Sequence, residues 1–199
     1  PDALKLIENF GADGVRVGML LCSPAGNDLP FDESLCEQGR NFTNKIWNAL
    51  RLIKSWEIEE ATPEAVIASE WFEAKLNKAI EELEESYKTF RLSEALMSVY
   101  RLIWDDYCSW YLEMIKPEFG KGINPKTYQK AVLFMEKLMQ LAHPFIPFIS
   151  EEVWHTLKER EEKECIIVSD YPKKEHINEQ LLANIELVNQ AITNVRKKI

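Results

Sequence analysis

The chain holds 199 residues, 46% of them hydrophobic, with six Trp, nine Phe and six Tyr, which is ample material for a buried core. Acidic residues outnumber basic ones, 33 Asp+Glu against 24 Lys+Arg, for a formal charge of −9 that argues against a uniformly basic nucleic-acid binder. No apolar run reaches membrane-spanning length, no positively charged, apolar signal segment opens the sequence, and the low glycine count of 7 favours helix over sheet.

In chain order, Pro1 to Leu21 reads as a pair of short helices hinged at Gly11. The run Ser23-Pro24-Ala25-Gly26-Asn27-Asp28 is dense in turn formers, and residues 29–31 follow as a short extended piece. Asp32 is an N-cap for a long helix to about Trp56. Thr62-Pro63-Glu64 offers a cap, a first-turn proline and an early acid for a helix to about Lys88. A third long helix covers Leu92 to Lys116, and Asn124-Pro125 starts a fourth that ends near His143-Pro144. Pro144 and Pro147 interrupt the next segment, and Ser150 is read as the cap of a helix with Glu151 and Glu152 in its first turn. The β-branched stretch at 165–169 reads as a strand, and a last helix runs from about Asn178 to Lys198. Long helices on short loops predict a mainly α protein, an antiparallel helical bundle over 32–199 preceded by a smaller unit at 1–31.

Charge is unevenly spread. Residues 38–56 carry Arg40, Lys45, Arg51 and Lys54 and no acid, whereas residues 57–85 carry ten acids and two lysines. Residues 116–130 again favour bases, Lys121 among them. At 100° per residue, Phe42, Ile46, Ala49, Leu50, Ile53 and Trp56 converge on one side of the first long helix as a core stripe. Arg40, Asn44, Asn48 and Arg51 fall opposite, with Trp47 and Lys54 on the flank. A face that only needs wetting would mix Glu with Lys and gain from i,i+4 pairs, and this one has no acid. It offers guanidinium groups for phosphates or base edges, amides for base edges, and an indole for stacking. The alternative is structural: Asn and Arg bonding other bundle elements, with Trp47 in a second packing layer.

Trp104, Tyr107, Trp110, Tyr111 and Met114 keep helical spacing and are expected in the core. Asp105 and Asp106 point about 100° apart, so they do not form a carboxylate pair. His143 reads as a cap or core residue, His155 and His176 as solvent-facing. Cys22, Cys36, Cys108 and Cys165 form no CxxC pair and have no adjacent His, so reduced thiols in a cytoplasmic protein are expected and no metal site. No Gly-rich phosphate loop, HExxH or GxSxG occurs, and no catalytic residues are assigned.

The segments "NFGADGVRVGMLLCSPAGNDLPFDES", "GRNFTNKIWNALRLI", "LIWDDYCSWYLEMIKP" and "HPFIPFISEEVW" follow one another in the order seen in class Ia aminoacyl-tRNA synthetases. "RNFTNKIWNALR" resembles the valyl-tRNA synthetase family, while isoleucyl and leucyl relatives share the "GAD-x-x-R" and "HPF-x-PF-x-x-E-x-W" patterns. Ser109 stands where this family often has Asp, which leaves the aromatic pattern intact. The resemblance implies that 1–31 contacts the tRNA stem and 32–199 is a helical anticodon-binding bundle, cut from a longer, monomeric, ATP- and Mg-dependent ligase. The His-Ile-Gly-His and Lys-Met-Ser-Lys-Ser motifs of that family do not occur in the chain, nor do an editing domain or the C-terminal coiled coil that follows in relatives. It implies a valine tRNA as partner, alongside the rest of the polypeptide. Asn48 and Arg51 match the Asn and Arg that contact anticodon bases in related synthetases, and Asn44 and Trp47 share their face. Arg40, Lys45, Lys54 and Lys121 are expected at phosphates. The competing readings are the same domain of an isoleucyl or leucyl enzyme, and a protein-interaction module whose acidic 57–85 face docks a basic partner.

Overall fold

The computed structural model describes residues 2–22 and 31–196. The turn expected at 23–28 and nearly all of the extended piece at 29–31 lie outside the described residues, and Phe31 itself belongs to no strand. The architecture is all helical: α1 Ala3–Phe10, α2 Ala12–Leu21, α3 Glu33–Lys54, α4 Val66–Lys88, α5 Leu92–Arg101, α6 Leu112–Ile115, α7 Pro125–Ala142, α8 Pro147–Leu157 and α9 Glu179–Arg196. A π-helical stretch, Leu102–Tyr111, joins α5 to α6 without a break.

Several boundaries follow from capping chemistry. Asp32 accepts from Ser34 N at 2.9 Å and starts α3, and Asn124 accepts from Lys126 N at 2.9 Å and starts α7. Gly11, with φ 74°, separates α1 from α2 at the expected hinge. The start of α4 differs from the sequence reading. Thr62 donates its hydroxyl to Gly122 O at 3.0 Å and its carbonyl accepts from Asn124 Nδ2 at 2.8 Å, so the helix begins at Val66 rather than Pro63. Tertiary partners took the residue that local chemistry assigned to the cap.

Ser150 is likewise not a cap. It is fully buried inside α8 and donates to Ile146 O at 2.8 Å, as mid-helix serines do when no water reaches them. The free N–H groups at the start of α8 are capped from α2 instead. Asp13 accepts from Phe148 N at 3.3 Å and Ile149 N at 2.7 Å, while Arg16 donates to Pro144 O at 3.0 Å and Phe145 O at 3.2 Å. The strand expected at 165–169 is a single 3₁₀ turn, Ile166–Val168. With no strand to pair with among the described residues, the β-branched run closes local bonds instead, such as Ser169 N to Ile166 O at 2.9 Å. Among the described residues the one β-bridge joins Ile58 to Ile123.

The core of the bundle is aromatic. Phe72 lies 5.0–5.1 Å, ring centre to ring centre, from Tyr107, Tyr111 and Phe134, and Tyr107 donates its hydroxyl to Ala131 O at 2.7 Å. Tyr107 and Tyr111 are buried as expected, but Met114 is 38% exposed and Ile115 takes the inward position. The wider turn of the π stretch advances the register, which a wheel of 3.6 residues per turn misses. α2 lies unusually close to α3. A Cβ built on Gly39 would stand 2.4 Å from Gly14 O, and one on Gly18 2.7 Å from Cys36 N, so only hydrogen fits at this crossing.

Candidate nucleic-acid interface

The site is built on α3, whose two sides behave as the wheel requires. Phe42, Ile46 and Ile53 are fully inaccessible and Leu50 nearly so, each such burial contributing roughly 1.5–3 kcal/mol. Phe42 stacks at 4.6 Å on Tyr100, which fixes it as a core residue. On the other side Arg40, Asn44, Asn48, Arg51 and Lys54 are exposed. Arg51 and Lys54 stand in the last helical turn, where their charge complements the helix dipole.

The eight residues singled out from sequence are not equally available. The side chains of Asn44, Asn48 and Arg51 make no hydrogen bond or ion pair among the described residues. Arg40 donates to Asn9 O at 3.2 Å, tying α3 to α1, and Lys54 donates to Thr156 O at 2.8 Å, tying α3 to α8. Lys45 lies on a different flank, 5.3 Å from the centre of the Trp104 ring, a cation–π contact with the π-helical stretch. Trp47 is half-buried and packs against the core. With Leu50, Arg51, Lys54, Ser55 and Thr156 it lines a shallow hollow of 280 Å³.

Lys121 stands apart, in the loop before α7. It is ion-paired with Glu118 at 2.6 Å, and that carboxylate raises its pKa while its own drops in turn. Seven of the eight residues therefore share α3, and three of those seven are without a partner. Thr156 at the C-terminal turn of α8 is a lining residue that sequence reading missed. Its only signal was that the "HPFIPFISEEVW" segment leads into it.

What the face can do chemically follows from what it lacks. Asn44, Asn48 and Arg51 present amide and guanidinium donors to solvent with no acid between residues 38 and 56 to compete for them. The half-buried indole of Trp47 beside Arg51 adds an aromatic wall to that row. Some acids of the 57–85 stretch have partners within the molecule, Glu64 meeting Lys126 at 3.5 Å. Glu73 meets Lys130 at 3.2 Å, Glu81 meets Lys174 at 2.7 Å, and Glu59 accepts from Gly122 N at 2.8 Å.

A family profile described as "Anticodon-binding domain of tRNA ligase" matches residues 69–199. Valine–tRNA ligases of Christiangramia forsetii and Parabacteroides distasonis are each 50% identical to the chain, over 99% and 98% of it respectively. That of Bacillus cereus is 34% identical over 98%. Those alignments include α3, which precedes the matched profile. The chain spans 23% of the length of these relatives. Among solved structures, the fold is similar to part of the LeuRS chain in a ternary LeuRS–tRNA–LeuAMS complex of Agrobacterium radiobacter K84. The TM-score is 0.61 at 21% identity, covering 92% of this chain and 21% of that one.

Proposed function

The chain belongs to the anticodon-binding domain family of tRNA ligases, and from that premise we propose that it recognises the anticodon loop of a valine tRNA through the exposed face of α3. One observation carries the reading. Asn44, Asn48 and Arg51 form an unpartnered, acid-free row of donors on an otherwise acidic molecule. An anticodon loop presents splayed bases whose edges accept from amides and guanidinium groups, and whose rings stack on an indole such as that of Trp47. Arg40 and Lys54 flank the row and reach phosphates at its two ends, with Lys45 and Lys121 contributing only when they leave Trp104 and Glu118. Residues 1–31 contact the tRNA stem and residues 32–199 form the anticodon-binding bundle.

In this reading the parent protein is a valine–tRNA ligase that joins valine to its tRNA with ATP and Mg²⁺ in the cytoplasm, acting as a monomer. Those substrates belong to parts of the parent other than this chain, which alone does not activate valine. The 50% identity to valine–tRNA ligases supports the valine assignment over an isoleucyl or leucyl one, since the LeuRS likeness is of fold alone. The acidic interaction-module reading has less in its favour, because the matched family profile and the valine–tRNA ligase relatives both point to tRNA.

The test is a titration of valine tRNA into the chain at several salt concentrations. Binding that weakens with salt, with a log–log slope of roughly 0.7–0.9 per phosphate contact, supports the proposal. Absence of binding at low salt refutes it, and valine-dependent pyrophosphate exchange by the chain alone refutes the assignment of catalysis elsewhere.

A further inference from the structure

Outside the α3 face, the structure gathers a set of donors that the proposed tRNA contacts do not use. On α8, Glu151 and His155 are one helical turn apart, with Glu151 Oε1 3.1 Å from His155 Nε2. The chain leaves α8 at Lys158 and returns so that Cys165 stands beside them. One donor atom from each of Glu151, His155 and Cys165 lies within 4.8 Å of the other two. All three side chains are half-buried, so they are accessible yet shielded on the protein side.

Carboxylate oxygen, imidazole nitrogen and thiolate sulfur together are the ligand set of a borderline-soft divalent ion. A tetrahedral zinc with ligands at about 2.0–2.3 Å needs donors about 3.2–3.8 Å apart, so rotation of the half-exposed side chains suffices to close the set. Glu151 is held in place by a second contact, accepting from Ile166 N at 3.2 Å, an orienting bond of the kind that metal-binding carboxylates have. A groove of 390 Å³, lined by His143, Pro147, Phe148, Glu151, Glu152 and His155, opens beside the pair and leaves room for a water as fourth ligand. The Cys165 thiol donates only to Glu162 O at 3.2 Å, a weak bond that a metal would replace.

We infer that Glu151, His155 and Cys165 form a binding site for Zn²⁺ that clips the segment after α8 to that helix. The ion takes the place of the thiol proton of Cys165, which is released to solvent as the metal–sulfur bond forms. The segment is already anchored without metal, since Trp154 Nε1 donates to Glu164 O at 2.8 Å. The metal therefore adds to a formed structure.

Co²⁺ is the probe, titrated into the chain after chelator treatment, with Zn²⁺ as competitor. The expected result is one equivalent bound, with a near-ultraviolet thiolate-to-cobalt band and visible bands of a tetrahedral ion, both abolished by Zn²⁺. Cys165→Ser removes the near-ultraviolet band. His155→Gln and Glu151→Gln each weaken binding at least about tenfold, with circular dichroism confirming that the variants fold. If Cys165→Ser does not fold, Glu151→Gln decides alone. Absence of the thiolate band at saturating Co²⁺ overturns the inference, as does a band that survives Cys165→Ser or an affinity unmoved by Glu151→Gln.

Discussion

Asp13 Oδ2 lies 2.7 Å from the backbone nitrogen of Ile149, so a carboxylate near the start of the chain caps a helix 136 residues further on. Together with Arg16, which holds the carbonyls of Pro144 and Phe145, it makes "GADGVR" and "HPFIPF" the two halves of one joint. Asp13→Ala leaves two N–H groups of α8 without an acceptor. It is expected to cost about 1–3 kcal/mol in urea unfolding.

The same residue sets a pH dependence. Burial pushes the Asp13 carboxyl above its usual value of 3.8, against the opposing pull of the two N–H groups and Arg16. Its folded state thus holds the proton more tightly than the unfolded chain. The contribution is fully present below 3.8, declines as pH rises through the raised folded pKa, and is constant above it. Denaturation midpoints of the wild type and Asp13→Asn, compared across pH 3–7 or thereabouts, should diverge only in that window.

Gly39 is the tightest point of the α2–α3 crossing. Alanine there meets a backbone oxygen at 2.4 Å, which no side-chain rotation relieves, so the helices must separate. The expected loss is about 1–3 kcal/mol or more, read as a lower melting temperature. At Gly11, where nothing lies within 4 Å, alanine should cost about 1–3 kcal/mol through its backbone conformation alone, φ 74° and ψ 156°.

Glu136 is 6% exposed, and it is neutralised by Lys158 at 2.7 Å and by Arg160, whose guanidinium also stacks 3.8 Å from the Trp154 ring. Arg160→Ala leaves a buried carboxylate with a single, half-exposed partner. Breaking such pairs costs about 3–5 kcal/mol, and Lys158 keeps this case near the lower figure. Calorimetry that showed no loss would place Glu136 in contact with water.

For tRNA binding, Asn48→Ala and Arg51→Ala should each weaken affinity by about 1–3 kcal/mol with an unchanged melting temperature. The loss should shrink when the anticodon is altered. Lys54→Ala acts differently, because its bond to Thr156 O gives it a structural share. It should lower both the salt slope and, slightly, the stability. Equal losses at Asn48 on both tRNAs would remove it from base recognition.

Much of this was legible in the sequence wherever local chemistry had no rival. Asp32 and Asn124 cap the helices that they announce, and the two faces of α3 follow from a 100° wheel. What escaped was decided by distant partners. Thr62 was claimed by Gly122, Ser150 by the interior of α8, and Met114 was turned outward by the π stretch. On the candidate face, spacing identified the row but not its occupancy: Arg40, Lys45 and Lys54 are engaged with Asn9, Trp104 and Thr156. Cysteine spacing hid the cluster at Cys165 for the same reason, since ten positions of sequence separate it from His155 and a chain reversal brings them together.

The glycine crossing has a mechanical consequence. Between most packed helices a layer of side chains can shift rotamers and absorb a displacement. Between α2 and α3 there is none at Gly14 and Gly39, where backbone meets backbone. Arg40, one residue beyond Gly39, adds its own bond to Asn9. A push or twist delivered to the first two helices therefore arrives undamped at the row of Asn44, Asn48 and Arg51, as through a rigid lever with no cushion at its fulcrum.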